Sequence, residues 1–74
     1  MADIGERIKN GRINKRLTQA ELAERVGCSI TYLSNIENGK IPNPGVLLFS
    51  KIADQLDLTV EELIGEHRTK NGEY

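Results

Sequence analysis

Residues 17–40 constrain the fold more than any other part of this chain. They read Leu-Thr-Gln-Ala-Glu-Leu-Ala-Glu-Arg-Val-Gly-Cys-Ser-Ile-Thr-Tyr-Leu-Ser-Asn-Ile-Glu-Asn-Gly-Lys. Thr18 followed by Glu21 is a capping box, in which each residue satisfies a backbone N–H that the first helical turn leaves open. Leu22, Ala23 and Val26 then share one helical face. Gly27 stops that helix, because glycine takes the left-handed conformation without steric cost. Ser29 caps a second helix, with Leu33 and Ile36 as its inward pair, and Gly39 ends it. Two short helices joined by a tight turn result. The second hides one side and presents small polar groups on the other.

The same punctuation divides the rest of the chain and predicts five helices and no strand. Helix 1 starts at Asp3, an N-cap with Glu6 three residues on, and runs to Lys15 with Ile4 and Ile8 on its inner stripe. Asn43 is expected to cap helix 4, with Pro44 at its first position. Val46, Phe49, Ala53 and Leu56 form the stripe of helix 4, widened by Leu48 and Ile52. Thr59 and Glu62 make a third capping box for a short helix 5. Val60, Leu63 and Ile64 are expected to pack inward there, and Gly65 to stop it. The fold class is therefore all-α, a compact five-helix domain over residues 1–65. Residues 66–74 are a polar C-terminal tail.

With 74 residues the chain is one domain. A chain of this size buries only about 60% of its unfolded surface, so its core is small. A single cysteine rules out an internal disulfide and fits a reducing compartment. No apolar run approaches the roughly 18 residues of a membrane span, and the first residues lack a signal peptide's apolar region. The expected location is the cytoplasm, at the nucleoid when a nucleic acid is bound. The net charge of −1 is unevenly spread. Residues 1–40 hold seven basic and five acidic side chains, whereas residues 41–74 hold three and six. Arg7, Lys9, Arg12, Lys15 and Arg16 follow one another with no acid between them. Local fields rather than the total decide attraction to phosphate. Taken alone, Arg7, Lys9, Lys15 and Arg16 read as solvated charges that add long-range attraction.

Catalytic chemistry is not expected. The one histidine, His67, stands in the polar tail, and the one cysteine, Cys28, precedes a helix cap where a small buried side chain is common. They do not suggest a nucleophile and base. No metal-ligand spacing and no phosphate-cradling glycine loop is present, so neither cofactor nor metal is expected, and no small-molecule ligand is evident.

The polar face of helix 3 carries the functional reading. At about 100° per residue, Thr31, Ser34, Asn35 and Asn38 fall opposite Leu33 and Ile36, with Ile30 at one edge. These side chains are short, so the helix can lie close to base edges in the major groove of double-stranded DNA. Asn35 could pair with adenine through donor and acceptor together. Thr31 could bond a base or touch a thymine methyl, and Ile30 could contact thymine methyls. Ser34 joins this base-contacting set. Tyr32 either reaches a phosphate or packs its ring on helix 4, leaving only its hydroxyl free.

Residues 4–65 resemble the repressor/Cro (XRE) type of helix-turn-helix protein, the phage repressors, Cro proteins and their bacterial relatives. The matching pieces stand in order: Ile4-Gly5-Glu6-Arg7-Ile8, Arg12, Leu17-Thr18-Gln19-Ala20-Glu21-Leu22-Ala23, Val26-Gly27, Tyr32-Leu33-Ser34, Ile36-Glu37-Asn38-Gly39-Lys40, Asn43-Pro44, and Leu56-Asp57-Leu58-Thr59-Val60-Glu61-Glu62-Leu63-Ile64. The resemblance implies a sequence-specific DNA-binding transcriptional regulator, a repressor rather than an activator, acting as a homodimer on a palindromic operator. It implies that Gln19 bonds a phosphate and braces helix 3, and that Asn38 and Lys40 contact the backbone. Arg12 and Glu37 match the family's partly buried ion pair. Relatives dimerise near the ends of helices 4 and 5, where Ile41, Leu47 and Leu58 could form an apolar patch. Two positions depart from the pattern. Gly11 replaces an inner leucine and should leave a gap, and Arg16 stands where glycine or asparagine commonly closes helix 1. The same fold also serves antitoxins of toxin–antitoxin pairs and protein-interaction modules, and these readings remain open.

Overall fold

The computed structural model describes residues 4–41 and 43–64. The cap at Asp3, the stop at Gly65 and the tail with His67 lie outside them. Five helices run α1 (Ile4–Asn14), α2 (Gln19–Val26), α3 (Ile30–Glu37), α4 (Val46–Gln55) and α5 (Val60–Ile64), and no strand occurs among the described residues. Helix α3 packs between α1 and α2, while α2 leans on α4, and α5 closes against α1 and α4. The core is one apolar cluster of Ile8, Leu22, Ala23, Val26, Leu33, Ile36, Ile52, Ala53, Leu56 and Leu63. No helix is long and apolar enough to cross a membrane among the described residues.

Both capping boxes that lie within the described residues are formed. Thr18 Oγ1 accepts the Glu21 N–H at 3.0 Å and Glu21 Oε1 accepts the Thr18 N–H at 2.8 Å. Thr59 and Glu62 repeat the arrangement at 3.0 and 2.8 Å. The Glu21 carboxyl is held below its ordinary range, first by the backbone N–H of Thr18 and then by that residue's hydroxyl.

Left-handed residues end four helices. Gly27 and Gly39 do so at φ 80°, as expected of glycine. Arg16 and Asp57 do so at φ 59° and 57°, where a side chain is strained. The bonding at α1 follows the Schellman pattern: Leu17 N–H donates to Arg12 C=O at 3.1 Å and Arg16 N–H to Ile13 C=O at 2.9 Å. Helix α4 closes the same way through Leu58 and Asp57. An exposed ion pair between Lys15 and Asp57 joins these two helix ends.

The structure corrects the expectation for the start of helix 4. Asn43 does not cap it and Pro44 is not its first residue. Asn43 Oδ1 accepts the N–H of Gly45 at 3.1 Å, forming a local turn. Gly45 then takes φ 95° and ψ 149°, which no helix accommodates, and stands itself at the N-cap without a side-chain bond. Val46, the first residue of α4, is 85% exposed rather than part of the inner stripe. Val60 and Ile64 are likewise partly exposed, and only Leu63 of the expected α5 trio is fully buried. The core ends before it reaches these three residues. They instead line a shallow apolar groove of about 350 Å³ with Ile4, Pro44 and Phe49. Nor does Gly11 leave a gap. Leu56 and Leu58 fill the space, their Cδ1 atoms 3.1 and 3.3 Å from where a Cβ would stand. Helix α1 also stops at Asn14, one residue short of Lys15.

Candidate nucleic-acid interface

Helix α3 owes its position to three contacts near its C-terminal end. Its Leu33 and Ile36 are fully buried in the core. Helix α1 then comes so close at Gly5 that a Cβ there would lie 2.3 Å from Ile36 O and 2.6 Å from Glu37 O. Only a residue without a side chain permits this approach. Finally, Glu37, whose side chain is 1% exposed, is bonded on both oxygens. Arg12 Nε donates to Oε2 at 2.7 Å and Arg12 Nη2 to Oε1 at 3.1 Å. Gln19 Nε2 donates to the same Oε1 at 3.0 Å. The third guanidinium nitrogen, Nη1, donates to Leu17 C=O at 2.8 Å, in the connection between α1 and α2.

The ion pair expected of Arg12 and Glu37 is therefore formed, and it extends to Gln19. A buried carboxylate is tolerable only when matched by charge and hydrogen bonds, and here both are supplied. The network joins α1, the first residue of α2 and the last residue of α3. Its effect is geometric: the start of α2 and the end of α3 are held in one register.

On this frame the remaining candidates stand along α3 and just past its end, some exposed and some half-buried. Ser29 caps α3, its Oγ accepting the Tyr32 N–H at 3.0 Å. Ile30 and Thr31 are exposed in the first turn, and Ser34 and Asn35 are half-buried one turn later. Asn38, the C-cap, is exposed, and its Nδ2 lies 3.5 Å from Ser34 Oγ. Gly39 turns the chain, and the Lys40 N–H donates to Asn35 C=O at 2.9 Å, so Lys40 is tied to the end of the helix. Tyr32 is half-buried with its ring against the core cluster. Cys28 also packs on that cluster, and burial pushes its thiol pKa up, away from the reactive thiolate. No group of acidic, histidine and cysteine side chains suited to a metal occurs among the described residues.

The three residues of the expected dimer patch are divided. Leu47 is 72% exposed, whereas Ile41 and Leu58 are half-buried and pack against the core. Sequence reasoning missed two features of the site. One is the seat at Gly5, whose only trace in the sequence is a glycine on the inner side of an amphipathic helix. The other is a polar depression of about 260 Å³ lined by Glu6, Lys9 and Asn10 of α1 with Glu37 and Asn38.

The fold is shared with known helix-turn-helix proteins. The helix-turn-helix family model matches residues 8–63. The chain is 40% identical over 68 residues to the HTH-type transcriptional regulator SinR of Bacillus subtilis (strain 168), covering 90% of this chain and 61% of that protein. It is 36% identical over 63 residues to the immunity repressor protein of Bacillus phage phi105, covering 85% of this chain and 43% of the repressor. The chain thus spans less than two thirds of these relatives. In the crystal structure of the master regulator for biofilm formation SinR in complex with DNA, the matching chain superposes with a TM-score of 0.77 at 40% identity. That match covers 81% of this chain and 95% of the other.

Proposed function

For a chain that belongs to the helix-turn-helix family, we propose the function of a sequence-specific double-stranded DNA-binding transcriptional repressor. The observation that carries this reading is the setting of α3: buried on Leu33 and Ile36, locked at its end by Gly5 and the Arg12–Glu37–Gln19 network, and bare on its polar side. A rigid helix with one exposed face of short polar groups suits the major groove. Asn35, Thr31, Ser34 and Ile30 read base edges. Gln19, whose amide keeps a second N–H beyond the one given to Glu37, takes a phosphate with Asn38, Lys40 and the Tyr32 hydroxyl.

One helix reads only a few base pairs, so the protein acts as a homodimer over two half-sites about 34 Å apart. Leu47 remains the exposed member of the patch first expected, and Val46, Val60 and Ile64 add apolar surface around the nearby groove. Control of promoter occupancy would come from protein concentration, a protein partner or cooperative binding.

Selection from a random duplex library tests this function. The enriched sequence and a scrambled control are then titrated at several salt concentrations. A palindromic site bound roughly a thousandfold tighter than the scramble is the expected result. Absence of any enriched sequence would overturn it.

A further inference from the structure

We propose that the DNA-facing surface continues past the end of α3 onto α1, where Lys9 and Asn10 hold a further backbone phosphate. The inference rests on the DNA-binding reading above and adds two contacts that neither the sequence pattern nor that reading assigned. Lys9 and Asn10 share one polar depression with Asn38, the exposed C-cap of α3. Asn38 already belongs to the backbone-contacting end proposed for the reading helix, and the depression opens beside it. Its existence depends on Gly5, which lets α1 lie directly against the last carbonyls of α3.

The charges of this corner decide what it can hold. The C-terminal end of a helix carries partial negative charge and by itself repels phosphate. Glu37 lies in the wall, but its side chain is 1% exposed and both oxygens are bonded to Arg12. It therefore projects little field outward. Lys9 supplies the accessible positive charge, and the Asn10 carboxamide supplies neutral donors beside it. Glu6 shares the depression one helical turn before Lys9 and Asn10. The donors lie on Lys9, Asn10 and Asn38, which places the phosphate on their side of the depression.

The rival role for Lys9 is to offset the α3 dipole without touching DNA. The two roles separate in the salt dependence of binding. A phosphate contact contributes about 0.9 to the slope of log affinity against log salt. Lys9→Gln should therefore lower the slope by about 1 per subunit and weaken binding at 0.1 M salt, relative to its effect near 1 M, by about eightfold per subunit, or roughly sixtyfold for the dimer. The enriched sequence should stay the same, and Lys9→Arg should restore the slope. Lys51→Gln, an exposed charge on α4, serves as control and should leave the slope at the wild-type value. Glu6→Gln should bind as tightly as wild type or tighter. A Lys9→Gln slope equal to that of the control overturns the proposal, whether or not its Tm moves. If Asn35→Ala and Lys40→Gln also leave affinity unchanged, the DNA-binding reading falls with it; if they weaken binding, only the extension onto α1 fails.

Discussion

Gly5 and Gly11 lie on the same helix, and replacing each by alanine should have opposite effects. Helix propensity alone favours alanine over glycine by about 0.8–1.0 kcal/mol in an interior position. At Gly5 that gain meets a collision. The new Cβ would stand 2.3 Å from Ile36 O and 2.6 Å from Glu37 O, and both are backbone atoms. Comfortable carbon–oxygen contacts begin near 3.3 Å, so α1 would have to withdraw from α3 by about 1 Å. Such overpacking typically costs about 1–3 kcal/mol, and the withdrawal also stretches the Arg12–Glu37 bonds. We expect Gly5→Ala to be destabilised by about 1–2 kcal/mol after the propensity gain. In a domain of this size that lowers Tm by roughly 5–15 °C. At Gly11 the nearest atoms are Leu56 Cδ1 at 3.1 Å and Leu58 Cδ1 at 3.3 Å, both ends of side chains that can rotate by a few tenths of an ångström. Gly11→Ala should therefore be neutral or stabilised by up to about 1 kcal/mol. Thermal unfolding followed by circular dichroism compares the two. A Gly5→Ala protein as stable as Gly11→Ala would refute the seating of α1 on the end of α3.

Three further perturbations address the site. Arg12→Ala leaves Glu37 buried without its charge partner and should cost about 3–5 kcal/mol, whereas the pair replacement Arg12→Met with Glu37→Leu should recover most of that stability in chemical denaturation. DNA affinity should not recover with it, because Gln19 has then lost the carboxylate that orients it; full recovery would show that the network serves stability alone. Asn35→Ala should cost about 1–3 kcal/mol of binding and relax preference at one base pair per half-site, while Gln19→Ala should weaken every sequence alike, as competition with variant duplexes would show. Arg16→Gly relieves a left-handed side chain worth about 1–2 kcal/mol against a glycine entropy cost of about 0.5–1 kcal/mol, so Tm should rise by a few degrees, and a fall would mean that the φ of 59° carries no strain.

What the sequence disclosed, and what it hid, follows from the range of each interaction. The capping boxes at Thr18–Glu21 and Thr59–Glu62 and the stop at Gly27 are settled within four residues, and so were legible from spacing alone. The pairing of Arg12 with Glu37 joins positions 25 residues apart, and only the resemblance to known repressors suggested it. At the start of α4 two local signals competed. Asn43-Pro44 looked like a cap and first residue, but the turn that Asn43 makes with Gly45 postponed the helix by two residues. Periodicity then put Val46 in the inner stripe, but among the described residues it is left 85% exposed.

The two glycines of α1 mark the limit most clearly. In the sequence Gly11 looked like a missing inner side chain, while Gly5 passed as an ordinary match to the family pattern. One faces flexible leucine ends, which fill the space, and costs the fold little. The other faces the backbone of α3, where nothing can yield, and decides where the reading helix sits. The difference depends on which atoms arrive from residues about 30–50 positions away, and no pattern local to α1 encodes it. For this reason the reading face of α3 could be named from a helical wheel, while the part of α1 that lies beside it, with Lys9 and Asn10, emerged only from the packing.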